Sequence, residues 1–103
     1  MPFPRLGRVL VSGRSMEPTL RSGDQLLVRW GGRPRAGRLV VVRWPGSPLA
    51  VKRALHYDGK AWWVERDNRT EGVDSWQAGP VRECDVLATV IVRMWPLTRR
   101  RGR

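Results

Sequence analysis

Two residues of this sequence could carry out nucleophilic chemistry: a serine in a turn, Ser15, and a lysine in an apolar run, Lys52. The apolar run covers residues 49–57 and is typical of a β-strand. Because side chains alternate between the two faces of a strand, Lys52 is expected to share a face with Ala50 and Ala54. These small side chains leave space for a second group to approach the lysine amine.

A lysine can act as a general base only when its amine is neutral. The pKa of a free lysine is about 10.4, so activity near pH 7 requires a shift of roughly 3 units, on the order of 4 kcal/mol. Burial in an apolar site can supply such a shift. Every basic residue except Lys52 and Lys60 is an arginine, which stays charged at ordinary pH. Lys52 is therefore the informative candidate for a base.

Ser15 lies in a polar turn region that covers residues 13–23, with Gly13 before it and Pro18 after it. Gly13 permits a backbone geometry that other residues avoid, and Pro18 stiffens the turn after the serine. Such a turn could hold the hydroxyl exposed, with backbone N–H groups near it to stabilise an oxyanion. From these residues alone, an ordinary turn serine is the simpler interpretation.

Four segments, in order along the chain, resemble the characteristic boxes of the signal peptidase I family. The segments are Ser-Met-Glu-Pro-Thr-Leu at 15–20, Gly-Asp-Gln-Leu-Leu-Val at 23–28, Val-Lys-Arg at 51–53, and Asp-Asn at 67–68 with Asp-Ser-Trp-Gln-Ala-Gly-Pro-Val at 74–81. Chance agreement is plausible for one box but not for four in the right order. The resemblance covers about residues 9–95 and implies a signal-peptidase/LexA-like curled antiparallel sheet, or partial barrel.

The resemblance also implies a catalytic dyad. Ser15 Oγ would attack the scissile carbonyl, neutral Lys52 would accept its proton, and the backbone N–H of Ser15 would donate to the oxyanion. Arg53 would pair with Asp67 and hold the lysine strand against the last loop. The residues expected to support the site are Gly13, Met16, Pro18, Arg53, Asp67, Asn68, Asp74 and Ser75.

The chain departs from the family pattern where other members have supporting side chains. Gly13 stands where some members add a hydroxyl donor to the oxyanion site, and Gly72 stands where a serine often orients the lysine amine. Trp76 replaces an arginine that pairs with Asp74, and Arg66 replaces a glycine whose turn could need a positive φ angle.

The chain also resembles a soluble branch of the family, the nickel-type superoxide dismutase maturation proteases. Its members have a Trp-Trp-Val type of stretch, here residues 62–64, and a last strand that finishes in Trp-Pro, here residues 95–96. The implied reaction removes an amino-terminal extension from the dismutase precursor, bound as an extended peptide. Neither a secretory signal peptide nor an apolar run of the roughly 20 residues that cross a bilayer is visible, so a cytoplasmic location is expected.

The elements that must position these residues are predominantly β-strands. Apolar alternation and turn residues predict the strands 8–12, 24–30, 38–44, 49–57, 61–65 and 86–95, with a long polar loop at 66–79. The strand 38–44 is apolar enough to be buried on both faces. Four tryptophans, at positions 30, 44, 62 and 63, are expected in the core, with one or two available to a substrate groove.

Length and composition predict one small domain over residues 1–96, followed by a basic disordered tail at 97–103. Cys84 is the only cysteine and His56 the only histidine, so neither a disulfide nor a four-ligand zinc site can form, and no cofactor is expected. His56, predicted on the face of Lys52, could lie near the site or be a partly buried strand histidine.

Two alternatives to the maturation protease remain open. One is a minimal signal-peptidase-like protease with another substrate, which contacts membranes through its basic tail. The other is a non-catalytic β module that binds nucleic acid or anionic surfaces, which the net charge of +11 permits.

Overall fold

The computed structural model describes residues 5–70 and 74–96. Within these ranges the chain forms seven strands, one short helix and one 3-10 turn. They are β1 (Arg5–Leu10), β2 (Gln25–Trp30), β3 (Leu39–Trp44), β4 (Ser47–Tyr57), β5 (Ala61–Glu65), α1 (Ser75–Ala78), β6 (Val81–Arg82), the 3-10 turn Glu83–Asp85, and β7 (Val86–Trp95).

All strand pairs in this part of the chain are antiparallel and belong to one sheet, in the order β1-β2-β7-β3-β4-β5-β6. The sheet is open, because β1 and β6 each pair with a single strand. The prediction of a mainly β, antiparallel fold in a single small domain is confirmed, but the described strands form one open sheet and not the expected curled sheet or partial barrel.

β3 lies in the middle of the sheet and is buried on both faces, as the sequence predicted. Val40, Val41 and Val42 are each fully buried, and burial of one such side chain contributes about 1.5–3 kcal/mol. Alternation places them in two different apolar clusters. The first cluster comprises Val9, Val11, Met16, Leu20, Leu26, Val28, Val41, Val51 and Ala88, and the second comprises Val40, Val42, Ala54, Val64 and Val81.

β4 has two halves with different neighbours. β3 pairs with the first half, as in Val41 with Val51 and Val40 with Lys52. β5 pairs with β4 only from Arg53 onward. The pairing with β5 therefore covers only the second half of β4. Val51 and Lys52, in the first half, lie on opposite faces.

A register shift in β4 changes one sequence prediction. Ala54 pairs with Val64, but the next pair is His56 with Trp63, because the alignment slips between them. Such a bulge moves the following side chains to the other face. His56 therefore does not share the face of Lys52, and it is exposed, with its ring stacked on that of Trp63.

The segment after β5 contains structure that the sequence did not reveal. The predicted loop 66–79 includes α1, whose entry is fixed by Gln77 Oε1 accepting a hydrogen bond from Asp74 N–H at 2.8 Å. The two-residue strand β6 follows. The first strand also lies earlier than predicted, at Arg5–Leu10 instead of residues 8–12, whereas β5 and β7 have the predicted bounds.

Candidate active site

The turn that carries Ser15 is anchored by apolar side chains on either side of it. Gly13 has a φ angle of 89°, which glycine adopts readily, and it redirects the chain after β1. Met16 and Leu20 are buried in the first cluster, and Leu20 N–H donates to Met16 O at 2.9 Å. Pro18 follows Glu17 through a cis peptide bond. These contacts leave Ser15 half-buried at the surface of the turn.

Ser15 borders a groove with a volume of about 420 Å³. The groove runs between the end of β1 and the first half of β4, and its floor is mostly apolar. Its lining residues are Arg8, Val9, Leu10, Val11, Ser12, Gly13, Ser15, Met16, Trp30, Val41, Leu49, Ala50 and Val51. Trp30 thus contributes both to the core and to the groove, as the sequence allowed for one or two tryptophans.

The backbone N–H of Ser15 donates to no acceptor among the described residues. Its own carbonyl accepts a hydrogen bond from Asn68 N–H at 2.8 Å. Asn68 also donates through Nδ2 to Arg14 O at 2.7 Å. Two peptide groups of the serine turn are therefore held by one residue, while the Ser15 N–H stays available.

Asp67 joins the serine turn to β4. Its carboxylate accepts from Thr19 Oγ1 at 2.6 Å and from Arg53 Nε and Nη2 at 2.8 and 2.6 Å. The Arg53–Asp67 pair expected from the sequence is present. The hydrogen bonds with Arg53 lower the pKa of Asp67, and those with Asp67 raise the pKa of Arg53.

Lys52 is buried, with 3% of its surface exposed, although lysine is rarely found in such positions. It lies opposite Val40 on the face of the second cluster. Burial lowers the pKa of Lys52 from its ordinary value; the negative charge of Asp74 raises it and the positive charge of Arg66 lowers it. The amine Nζ lies 4.7 Å from the centre of the Trp44 ring.

Arg66 pairs with Asp74, in place of the arginine that other family members have at the position of Trp76. Its Nη1 lies 3.0 Å from Asp74 Oδ2, and its backbone N–H donates to Asp74 Oδ1 at 2.6 Å. No described residue other than glycine has a positive φ angle, so the turn at Arg66 needs none. Ser75, the neighbour of Asp74, is buried and accepts from Val64 N–H at 2.9 Å.

The loop 66–70 interacts with both the serine turn and Lys52. Asn68 bonds the serine turn, and the charge of Arg66 acts on the lysine. Lys52 lies on the opposite face of β4 from Val51, which lines the serine groove. No hydrogen bond joins Ser15 Oγ to Lys52 Nζ in the described ranges, and their pairing stays a prediction.

Some predicted features lie outside the described residues, namely Gly72 and the tail 97–103. Three contacts of the site were not predicted from the sequence: the Trp44 ring lies below the lysine amine, Thr19 donates to Asp67, and Arg66 pairs with Asp74. Residue types alone gave no signal for them, because each contact joins positions that are distant in the chain or displaced by a bulge.

The described part of the chain contains neither a cluster of metal-ligand side chains nor a helix that could span a membrane. No group of three or more His, Cys, Asp or Glu side chains in it could hold a metal ion. Its helices are too short and polar to cross a bilayer.

Comparison with known proteins identifies the family. The family model for peptidase S24-like proteins matches residues 5–91, which is most of the chain. This protein belongs to the peptidase S24-like family, and that membership supports a serine-protease type of function. A search of curated proteins found no match. The residues matched by the family model include the serine turn, β4 and the loop 66–70.

Proposed function

We propose that this protein is a serine endopeptidase in which Ser15 is the nucleophile and Lys52 is the general base. The observation that carries the proposal is the burial of Lys52. A lysine with 3% of its surface exposed and a pKa lowered by that burial is a suitable base in a peptidase fold. The neighbouring Arg53 is tied through Asp67 to the turn that carries Ser15.

In the proposed reaction, the neutral amine of Lys52 accepts the proton of Ser15 Oγ while this oxygen attacks the scissile carbonyl carbon. The negative charge that develops on the carbonyl oxygen is stabilised by the Ser15 N–H. The tetrahedral intermediate then collapses, the C–N bond breaks, and the leaving amine takes the proton from Lys52. Water hydrolyses the resulting ester on Ser15, with Lys52 again accepting a proton.

This mechanism requires Ser15 Oγ and Lys52 Nζ to come within hydrogen-bond distance when substrate is bound. Catalytic hydrogen bonds are often long or misaligned before substrate binds and shorten in the complex. The serine is only half-buried and its hydroxyl has no described partner to hold it away.

The substrate is proposed to bind as an extended peptide in the serine groove. β1 is an edge strand of the sheet and borders the serine groove. The outer edge of β1 can form main-chain hydrogen bonds with an added strand. The apolar floor formed by Val9, Val41 and Val51 favours small apolar side chains before the cleaved bond.

The proposed biological substrate is the precursor of a nickel-type superoxide dismutase, whose amino-terminal extension would be removed in the cytoplasm. This assignment depends on the resemblance of residues 62–64 and 95–96 to the maturation protease branch of the signal peptidase I family. Processing of another precursor by the same dyad is the main alternative. Binding of nucleic acid or anionic surfaces without catalysis is the third.

The decisive experiment is incubation of the purified protein with the dismutase precursor, followed by mass spectrometry of the new amino terminus. Ser15→Ala and Lys52→Ala should each abolish cleavage. Matched controls are Ser22→Ala and Lys60→Ala, which change an exposed serine and an exposed lysine and should cleave normally.

The outcomes separate the three functions. Cleavage by either of the two site variants would contradict the dyad. If the wild-type protein leaves this precursor intact but cuts other peptides at one bond, the dyad stands and the dismutase assignment fails. Salt-sensitive nucleic-acid binding with no cleavage of any peptide would favour the non-catalytic module.

A further inference from the structure

The lysine amine lies over an aromatic ring. Lys52 Nζ is 4.7 Å from the centre of the Trp44 ring, well within the roughly 6 Å over which a cation interacts with an aromatic face. Tryptophan gives the strongest interaction of this type. Trp44 is half-buried and packs against the second cluster, so its ring has a fixed place beneath the amine.

A bulge in the sheet sets the position of this ring. β3 and β4 pair regularly as far as Val42 with Ala50, but Trp44 then pairs with Ser47, so the register has shifted by one residue. Bulges redirect side chains and are frequent beside active sites. Here the shift occurs at the end of β3, next to the strand that carries Lys52.

We infer that Trp44 is a positioning residue for Lys52, whose ring holds the lysine amine and favours its protonated form within the apolar site. The inference rests on the proposed function, because it gives Trp44 a role in proton transfer by Lys52. Trp44 would then stabilise the protonated amine in addition to excluding water from the site.

Two charged side chains also affect the protonation of Lys52, and their effects differ from that of the ring. Asp74 favours the ammonium form and Arg66 opposes it, and these two are themselves paired 3.0 Å apart. An aromatic face attracts the ammonium without offering an atom that can take its proton. Lys52 can therefore accept a proton from the serine and release it to the leaving amine, and the ring holds the amine in place while it carries that proton.

The test is the pH dependence of kcat/KM for Trp44→Leu and Trp44→Phe. Leucine keeps the site apolar but removes the ring, so the protonated lysine loses its stabilisation. The acidic limb of the profile should move to lower pH by about one unit, and the plateau should fall about tenfold or more as the amine loses its support. Trp44→Phe should retain most of the plateau and shift the limb less.

Trp62→Leu is the matched control. Trp62 is also a half-buried tryptophan packed against the second cluster, but it neighbours Tyr57, with ring centres 5.6 Å apart. Its loss should leave the acidic limb in place. An acidic limb that stays put, or moves to higher pH, in Trp44→Leu would overturn the inference, because the ring would then serve only to exclude water.

A second measurement does not depend on activity. In the Ser15→Ala background, the pKa of Lys52 can be followed by the NMR shift of its Cε, with and without Trp44→Phe, the milder substitution. A lower Lys52 pKa in the phenylalanine variant supports the inference, and an unchanged or higher pKa contradicts it. If the pKa falls but Lys52→Ala still cleaves precursor, the ring contact stands and the proposed dyad is wrong.

Discussion

Lys52 and Arg53 are consecutive cations in β4, but they meet opposite surroundings. Lys52 is buried on the face of the second cluster, over the Trp44 ring, and its pKa is lowered. Arg53 makes two hydrogen bonds to Asp67 and a third to Gly37 O, and its pKa is raised. One strand thus holds a cation that burial pushes toward its neutral form beside one that is locked in its charged form.

The difference shows how the molecule divides two tasks. A bidentate carboxylate is a good anchor for arginine, whose planar group matches its geometry and does not lose its proton. The same carboxylate beside Lys52 would hold the proton and prevent base catalysis. Asp74 is the acid whose charge acts on Lys52, and its own ion pair with Arg66 limits that effect. The anchor and the base can be adjacent because strand alternation separates them.

The largest expected effect comes from making the two cations alike. Lys52→Arg should reduce precursor cleavage by about 10³-fold or more, because arginine cannot provide a neutral lone pair. Arg53→Lys, the matched change at the neighbouring position, should keep most of the activity. Initial rates of precursor cleavage measure both. Comparable activity in the two variants would show that position 52 does not supply the base.

The second expected effect tests the anchor. Asp67→Asn should lower the free energy of unfolding at pH 7 by about 1–2 kcal/mol, because it removes charged hydrogen bonds to Arg53 near the surface. The pKa of Asp67 is lowered in the folded protein, so its stabilising contribution is present above about pH 4 and is lost as pH falls through the folded value.

Urea unfolding of the wild-type protein and of Asp67→Asn should therefore give a difference at pH 7 that shrinks in acid. Asp58→Asn provides a contrast, since Asp58 caps the β4–β5 hairpin and holds Trp63 Nε1 at 2.9 Å, away from the serine turn. The Asp67 variant alone should also slow cleavage. Equal stability of wild type and Asp67→Asn at pH 7 would show that the Arg53–Asp67 pair does not stabilise the fold.

A smaller and opposite effect on stability is expected at the base. Lys52→Met should raise the free energy of unfolding at pH 7 by on the order of 1 kcal/mol, because a buried charge is replaced by an apolar chain of similar length. The wild-type protein should gain stability as pH rises from the folded pKa of Lys52 toward the unfolded value of about 10.4. The advantage of the methionine variant should shrink over that interval. An advantage that grows with pH would mean that Lys52 is stabilised as the cation.

The sequence predicted much of this arrangement, because it depends on local patterns. Alternation and turn residues gave β5 and β7 their correct bounds, and the box pattern anticipated the Arg53–Asp67 pair. The contacts that set apart the two cations were less visible. The shift that places Trp44 opposite Ser47, and the one that turns His56 away from Lys52, are one-residue displacements that residue periodicity does not show.

The smallest expected effect concerns the balance between Asp74 and Lys52. The charge of Arg66 lowers the pKa of Lys52, so Arg66→Gln should raise that pKa and move the acidic limb of kcat/KM to higher pH by a few tenths of a unit. Arg69→Gln changes an exposed arginine of the same loop and should shift the limb less. A limb that moves to lower pH in Arg66→Gln would mean that Asp74, without its partner, no longer acts on the amine. The separation between base and anchor would then be a property of β3 and β4, which supply the burial and the Trp44 ring, and not of the loop.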